Sequence, residues 1–300
     1  MRPKEKSPRT EALDALVRVR FGLSWGKARA WIRTGKVTVA AVTVIDPGAC
    51  VPIDAVVDLR MNAPRVHRHV LAPSALVFVD SQVVVVRKPA GISTVPYEED
   101  ERGTLDELVR AALGKGRTGR PPLGIVHRLD KETSGLVVFT RTWQAKQSLS
   151  GQFRAHTVHR RYLALVHGAA TKRTYRTYLV EDRGDGLRGS ARRAGVGGRL
   201  AVTHVEPVES FAQATRVACT LETGRTHQIR IHLSEDSHPV VGERVYIRGL
   251  SLADLGAPRL MLHAAELGFI HPSTGEALRW ADPLPDDMVS VQERLRTASL

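Results

Sequence analysis

The sequence predicts an α+β fold built around a largely antiparallel sheet. Segments with strand-like patterning outnumber segments with helical spacing along the 300 residues. The strands and helices do not alternate in the regular manner of a doubly wound or barrel protein, and no repeat of solenoid length is present. A mixed, mainly antiparallel sheet flanked by helices is therefore the economical expectation.

Length and charge favour two domains and a polyanionic partner. A chain of this length can form one large or two modest hydrophobic cores, and we expect two. The 44 Lys and Arg residues against 31 Asp and Glu give a net charge of +13. A surface of this sign favours nucleic acid as the partner, although net charge alone also fits a basic protein without one.

The cysteines and the apolar segments indicate a cytoplasmic protein. Cys50 and Cys219 form no Cys-x-x-Cys pair, so neither a disulfide framework nor a thiolate zinc site is predicted. The first ten residues are charged and lack the apolar core of a signal peptide, and charged residues interrupt the apolar stretches. We expect no export and no membrane insertion.

The amino-terminal elements predict a small helical unit on a short sheet. Residues 1–9 are expected to be a disordered basic lead, after which Thr10 can cap a helix ending near Gly22. Ser24 can cap a second helix that ends at Gly35. Strand-like runs follow at residues 37–39, 42–45 and 51–59.

The second helix has an apolar stripe and a basic outer face. The apolar side chains are Ala28, Trp31 and Ile32, and the basic ones are Lys27, Arg29, Arg33 and Lys36. Residues 10–60 resemble the S4 RNA-binding domain, although Ala40-Ala41 replaces the Asn-Gly hairpin common in that family. The resemblance implies RNA contacts by the four basic residues, with a merely solvated basic face as the alternative.

Residues 61–73 have the composition of a linker, and a larger second domain is expected over residues 74–300. Alternating and apolar runs predict its strands, and Thr104 and Thr142 are expected to cap its helices. The expected elements are a hairpin of strands 76–79 and 83–87, helices 104–113 and 142–155, and strands 135–141, 160–168, 200–208, 211–223 and 260–270.

The segment from His127 to Leu136 is the most informative part of the chain. Asp130 lies between the cations Arg128 and Lys131 and precedes a short polar turn. Neighbouring cations favour an ionised carboxylate, and a turn can present it to a ligand. Because an Asp beside an Arg is more often a plain surface ion pair, the other motifs must decide its role.

Several segments accompany this motif in a fixed order. They are Arg87–Gly91, Arg160–Ala164, Thr223–His232 and Leu260–Ala264, the last followed by His271-Pro272. Together with His127–Leu136 they resemble the RluA-type family of RNA pseudouridine synthases over residues 74–285. The chain departs from the family pattern at Gly242-Glu243, where Gly-Asp is usual, and in a stretch rich in Gly and Arg at residues 183–199.

The resemblance implies the isomerisation of uridine to pseudouridine, with Asp130 as the catalytic aspartate. A carboxylate can attack or stabilise an anomeric carbon, or remove a nearby proton, and the residues leave both acts open. Alignment with the family motif implies that Arg230 pairs with this carboxylate through charge-assisted hydrogen bonds. Arg225 is the less favoured partner and is expected to contact the substrate.

The other implied site residues border the base. Tyr162 matches the family's active-site tyrosine, whose ring can stack on uracil and whose phenol can accept a proton, while a packing role is the alternative. Arg128 and His127 are expected to hold a flipped-out nucleotide or its phosphates, and His127 fits a buried, hydrogen-bonded histidine equally well. Leu262 matches a residue lining the uracil pocket.

No metal and no cofactor are predicted. The spacing of His227, His232, His263 and His271 matches no metal-binding motif, and the implied reaction is redox-neutral and internal to one nucleotide. We expect a monomer that acts on RNA, with ribosomal RNA of the large subunit favoured and transfer RNA open. The alternative is a non-catalytic RNA-binding or ribosome-assembly protein on the same fold.

Overall fold

The computed structural model describes residues 10–63, 71–98, 101–114, 122–191, 197–250 and 252–297. The expected basic lead and most of the expected linker lie outside these ranges. Contacts divide the chain into two compact units, Met1–Val70 and Leu71–Leu300. Within the described residues no helix is long and apolar enough to cross a membrane.

The first unit packs two short helices on short strands. Leu13, Leu16, Ala28 and Ile32 form its core, and Gly22 ends the first helix in the left-handed conformation. The elements are β1 (Thr10–Ala12), α1 (Leu13–Phe21), α2 (Trp25–Arg33), β2 (Val37–Val39), β3 (Val42–Thr43), β4 (Cys50–Pro52) and β5 (Val57–Leu59). Its strands pair as β1 with β4, and as β3, β2 and β5 in that order.

Two expectations for this unit are wrong in detail. Thr10 does not cap α1, because residues 10–12 pair with Cys50–Pro52 as a strand and Ala12 occupies the cap position. The run 51–59 is interrupted by a turn and forms two strands, since Ala55 donates a backbone hydrogen bond to Pro52. Ser24 caps α2 as expected, accepting a hydrogen bond from the Lys27 amide.

The second unit is built on an eleven-stranded sheet. Its strands are β6 (Leu76–Val79), β7 (Val83–Lys88), β8 (Gly124–Ile125), β9 (Ser134–Thr140), β10 (His159–His167), β11 (Arg173–Val180), β12 (Gly189–Ser190), β13 (Arg199–Ser210), β14 (Ala214–Leu221), β15 (Leu262–Ile270) and β16 (Ala277–Ala281). The helices are α3 (Leu105–Leu113), α4 (Trp143–Arg154), α5 (Gln228–Glu235) and α6 (Asp286–Thr297). Pro73–Ala75 forms one 3-10 turn.

The order of the strands in the sheet places the His127–Leu136 motif beside the Leu260–Ala264 motif. The main path runs β12, β11, β13, β14, β10, β15, β9, β7 and β6, with β16 beside β15 and β8 beside β9. All strand pairs of the described residues are antiparallel except β9 with β15. This confirms the α+β expectation of a mixed, largely antiparallel sheet, and it sets the start of β9 beside the start of β15.

Helices cover both faces of this sheet. Val83 and Val85 of β7 point to one face and pack near Ala145 and Leu149 of α4. The alternate residues of the strand belong to the larger core, which also contains apolar side chains of α3, α5 and α6. Because β7 is buried on both faces, its four valines form a continuous apolar run and not an alternating pattern.

Candidate active site

A pocket opens on the second unit where the loop before β9 meets β10, β15 and the start of α5. Its cavity measures about 460 Å³. The sequence-predicted site residues of this unit all line it: His127, Arg128, Asp130, Tyr162, Arg225, Arg230 and Leu262. Residues separated by more than 130 positions in the sequence are therefore neighbours in the fold.

Asp130 lies on a loop that hydrogen bonds from the buried side chain of Thr94 hold in place. Thr94 Oγ1 donates to the Leu129 carbonyl at 2.9 Å and accepts from the Leu129 amide at 3.0 Å. The chain turns directly after Asp130, where the Thr133 amide donates to the Asp130 carbonyl at 3.1 Å. The expected polar turn is present, and it leaves the Asp130 side chain partly exposed to the cavity.

Lys88 lies fully buried beneath the same loop. Its Nζ donates to the carbonyls of Pro89, Ile92 and Lys131 at 2.8–2.9 Å. Burial lowers the pKa of Lys88 to about 7, partly offset by the charges of Glu132 and Asp130. Lys88 belongs to a segment that resembles the family, but its sequence position alone indicated no role for this side chain.

Arg230 faces Asp130 but is held by a different carboxylate. Its Nη1 lies 3.8 Å from Asp130 Oδ2, which is an ion-pair distance and not a hydrogen bond. Nε and Nη2 instead donate to Glu243 at 2.7 Å each. Burial opposes the charge of Arg230, yet Glu243 raises its pKa. The expected hydrogen bonds between Arg230 and Asp130 are therefore absent. Glu243 instead holds the guanidinium so that Nη1 faces the Asp130 carboxylate.

Glu243 is buried in the loop between α5 and β15. It stands at the position where the chain departs from the family pattern. Besides Arg230 it accepts hydrogen bonds from the amides of Arg244 and Val245 at 2.9–3.0 Å. Burial would raise the pKa of Glu243, but these partners, Arg230 first, lower it. Gly242 precedes it at φ +84°, where a Cβ would lie 1.9 Å from the Arg259 carbonyl oxygen.

His227 is a site residue that the sequence analysis considered only as a possible metal ligand. It precedes α5 in the left-handed conformation with φ 57°, which costs a residue with a Cβ about 1–2 kcal/mol. Its Nε2 lies 3.9 Å from Asp130 Oδ2, and its Nδ1 lies 2.7 Å from the Tyr246 hydroxyl. No signal in a single sequence marks a histidine for this conformation.

The buried side chain of Gln228 forces this backbone shape. Its Oε1 accepts hydrogen bonds from Thr223 Oγ1 at 2.8 Å and from the Arg225 amide at 3.0 Å. Its Nε2 donates to the Val202 carbonyl at 3.0 Å. The turn of residues 223–227 is thus tied to β13, and the strain at His227 persists because its surroundings over-determine it.

Tyr162 forms part of the pocket wall from the centre of β10. Burial raises the pKa of Tyr162 to about 12, so its phenol is neutral at neutral pH. It makes no side-chain hydrogen bond with any residue in the described ranges. A ring in this position can stack on a base, and its hydroxyl is open to a substrate.

His127 is a hydrogen-bonded histidine in the pocket wall, which is one of the two roles that the sequence left open. Its Nε2 accepts from the Val138 amide at 3.0 Å, and its ring stacks on Phe153 at 4.6 Å between centroids. Burial and the nearby charge of Arg160 lower its pKa to about 3, so the imidazole is neutral. It forms the pocket wall beside Asp130.

Cationic side chains surround the pocket. Arg128 is exposed, Arg154 and Arg225 line the cavity, and the Nε of Arg225 donates to the Leu200 carbonyl at 3.0 Å. Arg160 is buried in the wall, where its Nη2 donates to the Glu222 carbonyl at 2.9 Å. This ring of positive charge suits a ligand with phosphate groups.

The four basic residues predicted to bind RNA lie on the first unit, and their surroundings differ. Arg29 donates to the buried Asp14 carboxylate at 2.8 Å, and Lys36 donates to the carbonyls of Met61 and Ala63. Lys27 lies over the Trp31 ring at 5.2 Å. RNA contact by these residues and by Arg33 stays a prediction.

The pocket combines one presented carboxylate, two nitrogen groups facing it, an open phenol and a basic rim. The four histidines considered as metal ligands have separate partners: His227 is hydrogen-bonded to Tyr246, His263 to Ser134, His271 to Asp80 and His232 to Thr203. The described part of the chain contains no group of three or more residues arranged to bind a metal ion. The pocket's own groups suit chemistry at a nucleotide sugar.

Comparison with known proteins agrees with this chemistry. A family model described as RNA pseudouridylate synthase matches residues 82–235, just over half of the chain. The Ribosomal large subunit pseudouridine synthase D of Nitrosomonas europaea is 39% identical over 77% of this chain and 67% of its own length. The protein of the same name from Xanthomonas campestris is 36% identical over 90% of this chain and 84% of its own.

Solved structures share the fold. The structure titled Human RNA Pseudouridylate Synthase Domain Containing 4 superposes with a TM-score of 0.62 at 24% identity, covering 74% of this chain and 93% of that one. At this identity the likeness concerns the fold alone. With the sequence matches, the RluA-type resemblance is confirmed, and the chain belongs to the RNA pseudouridylate synthase family.

Proposed function

We propose that this RNA pseudouridine synthase converts uridines of large-subunit ribosomal RNA to pseudouridine, using Asp130 as its catalytic group. The observation that carries the proposal is the placement of Asp130: a carboxylate on a fixed loop, facing Arg230 and His227, inside a pocket with a basic rim. The names of the curated relatives support the choice of RNA. The non-catalytic alternative would require none of these side chains.

The pocket suits a single flipped-out uridine. Its volume of about 460 Å³ is in the range of small-ligand sites, and a base must leave its stack before its glycosidic bond can react. Arg128, Arg154 and Arg225 line the pocket, and their charges support a role in binding the phosphates next to that nucleotide. Tyr162 and Leu262 then border the base.

The reaction rearranges bonds within one nucleotide. The bond from C1′ to N1 breaks, the uracil turns, and C5 bonds to C1′; the hydrogen of C5 leaves as a proton and N1 gains one. Asp130 either attacks the electron-poor sugar or removes a proton from it, and both acts need the ionised carboxylate. Arg230 favours that form through its charge. No cofactor is needed because no electrons are exchanged.

We further propose that the enzyme acts in the cytoplasm as a monomer, with residues 10–60 as an S4-like RNA-binding unit. The basic face of α2 supports RNA contact, and the free thiols Cys50 and Cys219 fit a reducing compartment. A single mass equal to 32.9 kDa in light scattering is the expected result for the monomer.

Release of tritium from RNA labelled at C5 of uridine tests the proposed substrate. Every conversion liberates one C5 hydrogen, so purified enzyme should release tritium from transcripts of large-subunit ribosomal RNA. A transfer RNA pool of equal uridine content is the matched competitor. Preferential release from the transfer RNA would overturn the proposed substrate, and no release from either would overturn the activity.

A further inference from the structure

This inference rests on the proposed catalytic role of Asp130: we propose that His227 is a second positioning residue for that carboxylate, in the tautomer that accepts a hydrogen bond from the Tyr246 hydroxyl. His227 Nε2 lies 3.9 Å from Asp130 Oδ2, on the same carboxylate oxygen that Arg230 Nη1 approaches to 3.8 Å. The carboxylate therefore faces two nitrogen donors and not one.

The charge of Asp130 and the hydrogen bond to Tyr246 together define the tautomer of His227. Nδ1 lies 2.7 Å from the Tyr246 hydroxyl, which can either donate to it or accept from it. If Nδ1 carried the hydrogen, the Nε2 lone pair would point towards the negative carboxylate, which is unfavourable. The tyrosine therefore donates to Nδ1, and Nε2 presents its N–H to Asp130.

Residues of a single loop, Glu243 and Tyr246, hold both Arg230 and His227. Glu243 clamps Arg230 through two hydrogen bonds, and Tyr246, three residues later, holds His227 and lies under Arg230 with 5.3 Å between guanidinium and ring. Ser234 Oγ donates to the Tyr246 carbonyl and ties this loop to α5. The loop thus sets both donors relative to Asp130.

The backbone of His227 supports a role in the site. A histidine at φ 57° is strained, and a glycine there would adopt the same shape without a penalty. Strain of this kind in a catalytic pocket indicates that the side chain is needed for function. Its imidazole stays neutral because burial lowers the pKa of His227, with Asp130 opposing and Arg230 adding to the shift.

Glycine and glutamine substitutions at this position separate positioning from folding. His227→Gly removes the strain together with the donor, so the protein should keep or raise its thermal midpoint while the single-turnover rate falls about 100-fold. His227→Gln keeps a donor at the position of Nε2 but also the strain, so it should be less stable yet at least tenfold more active than the glycine variant. RNA affinity should stay near that of the wild type in both.

Ser237→Gly is the matched control. Ser237 is also left-handed, with φ 64°, at the opposite end of α5 and exposed to solvent. This substitution removes backbone strain from the same helix without touching the pocket, and we expect unchanged rates. Tyr246→Phe keeps the ring under Arg230 but should lower the rate about tenfold. Nitrogen-15 shifts of His227 should report the Nε2–H tautomer in the wild type.

Each result decides the proposal. Slower turnover of His227→Gly with recovery in His227→Gln supports it, as does a single Nε2–H tautomer in the wild type. A His227→Gly enzyme as fast as the wild type would overturn it, because the ring would then be dispensable. A glutamine variant no faster than the glycine variant, or an Nδ1–H tautomer in the wild type, would also overturn it.

Discussion

Buried side chains below the pocket hold Asp130 in one place. Lys88 binds three carbonyls under the loop, Thr94 binds Leu129 through both backbone groups, and His127 is tied to β9 through the Val138 amide. A carboxylate on such a support does not have to be ordered when the substrate binds, which lowers the cost of reaching a reactive geometry.

Tyr162→Phe tests the use of the phenol. Because burial raises the pKa of Tyr162 to about 12, the group is a neutral hydroxyl that can relay a proton but is not a resident anion. The variant keeps the ring, so RNA affinity should be unchanged while the single-turnover rate falls roughly 10²- to 10⁴-fold. Rapid-quench kinetics and filter binding measure the two quantities. A fully active variant would restrict Tyr162 to packing or stacking.

The sequence motifs predicted which single side chains belong to the site, but they did not predict the hydrogen-bond partners of those side chains. The motifs indicated Asp130, Tyr162 and Arg230, and all three line one pocket. Glu243 was noted only as a departure from the family pattern, and nothing in its residue type shows that it clamps Arg230. Hydrogen bonds between distant loops depend on tertiary packing, which one sequence does not report.

At the scale of elements, the junction of β9 and β15 places the Asp130 loop beside Leu262. Gly135 makes this junction possible, because it adopts φ +113° and a Cβ there would lie 2.3 Å from the Ala264 carbonyl oxygen. Gly135→Ala should lower the free energy of unfolding by roughly 3 kcal/mol, combining backbone strain and overpacking.

Gly151→Ala is the control for that substitution. Gly151 lies within α4 with no atom within 4 Å of an added Cβ, so alanine there should stabilise the protein by about 1 kcal/mol. Urea denaturation measures both changes. Equal stability of the two variants would contradict the close approach of β9 and β15.

Glu266 on β15 joins two neighbouring strands through charge. It accepts hydrogen bonds from Arg161 at 2.8 Å, from His159 at 3.1 Å, and from Arg279. Burial alone would raise the pKa of Glu266, but these partners, Arg279 first, lower it from 4.5 to about 2. The unfolded state therefore binds more protons than the folded state between these two values.

This linkage gives a pH dependence with a definite sign. The contribution of Glu266, on the order of 2 kcal/mol, is complete above pH 4.5 and is lost as the pH falls towards 2. The difference in unfolding free energy between wild type and Glu266→Gln should shrink as urea titrations move from pH 7 to pH 3.5. A constant difference for Glu266→Gln would refute the assignment.

Elements with strong periodicity were predictable, and short or exposed ones were not. The helices after Ser24, Thr104 and Thr142 lie where their capping residues indicated, although Thr104 makes no side-chain cap bond. The expected elements did not include β8, β11, β12, β16, α5 or α6. β11 and β16 have mostly exposed or half-buried residues, and α5 is buried almost all round, so none of these three elements shows a clear periodic pattern.

At the scale of the whole molecule, we propose that the two units of the chain divide RNA binding and chemistry between them. The pocket lies within Leu71–Leu300, and the basic helix α2 lies within Met1–Val70. A chain beginning at Leu71 should keep its active site but bind RNA at least about tenfold more weakly, with a smaller salt dependence because fewer phosphates are neutralised. Fluorescence anisotropy at several salt concentrations measures both. A folded but inactive truncation would contradict this division.

Asp130→Asn gives the most direct test of the central claim, that Asp130 carries out pseudouridine formation in this pocket. Cells lacking the protein should be supplied with the wild type or the variant, and pseudouridines mapped across total RNA. We expect the wild type to restore specific sites in large-subunit ribosomal RNA and Asp130→Asn to restore none, although the purified variant binds RNA with unchanged affinity. Restoration of those sites by Asp130→Asn would contradict the account.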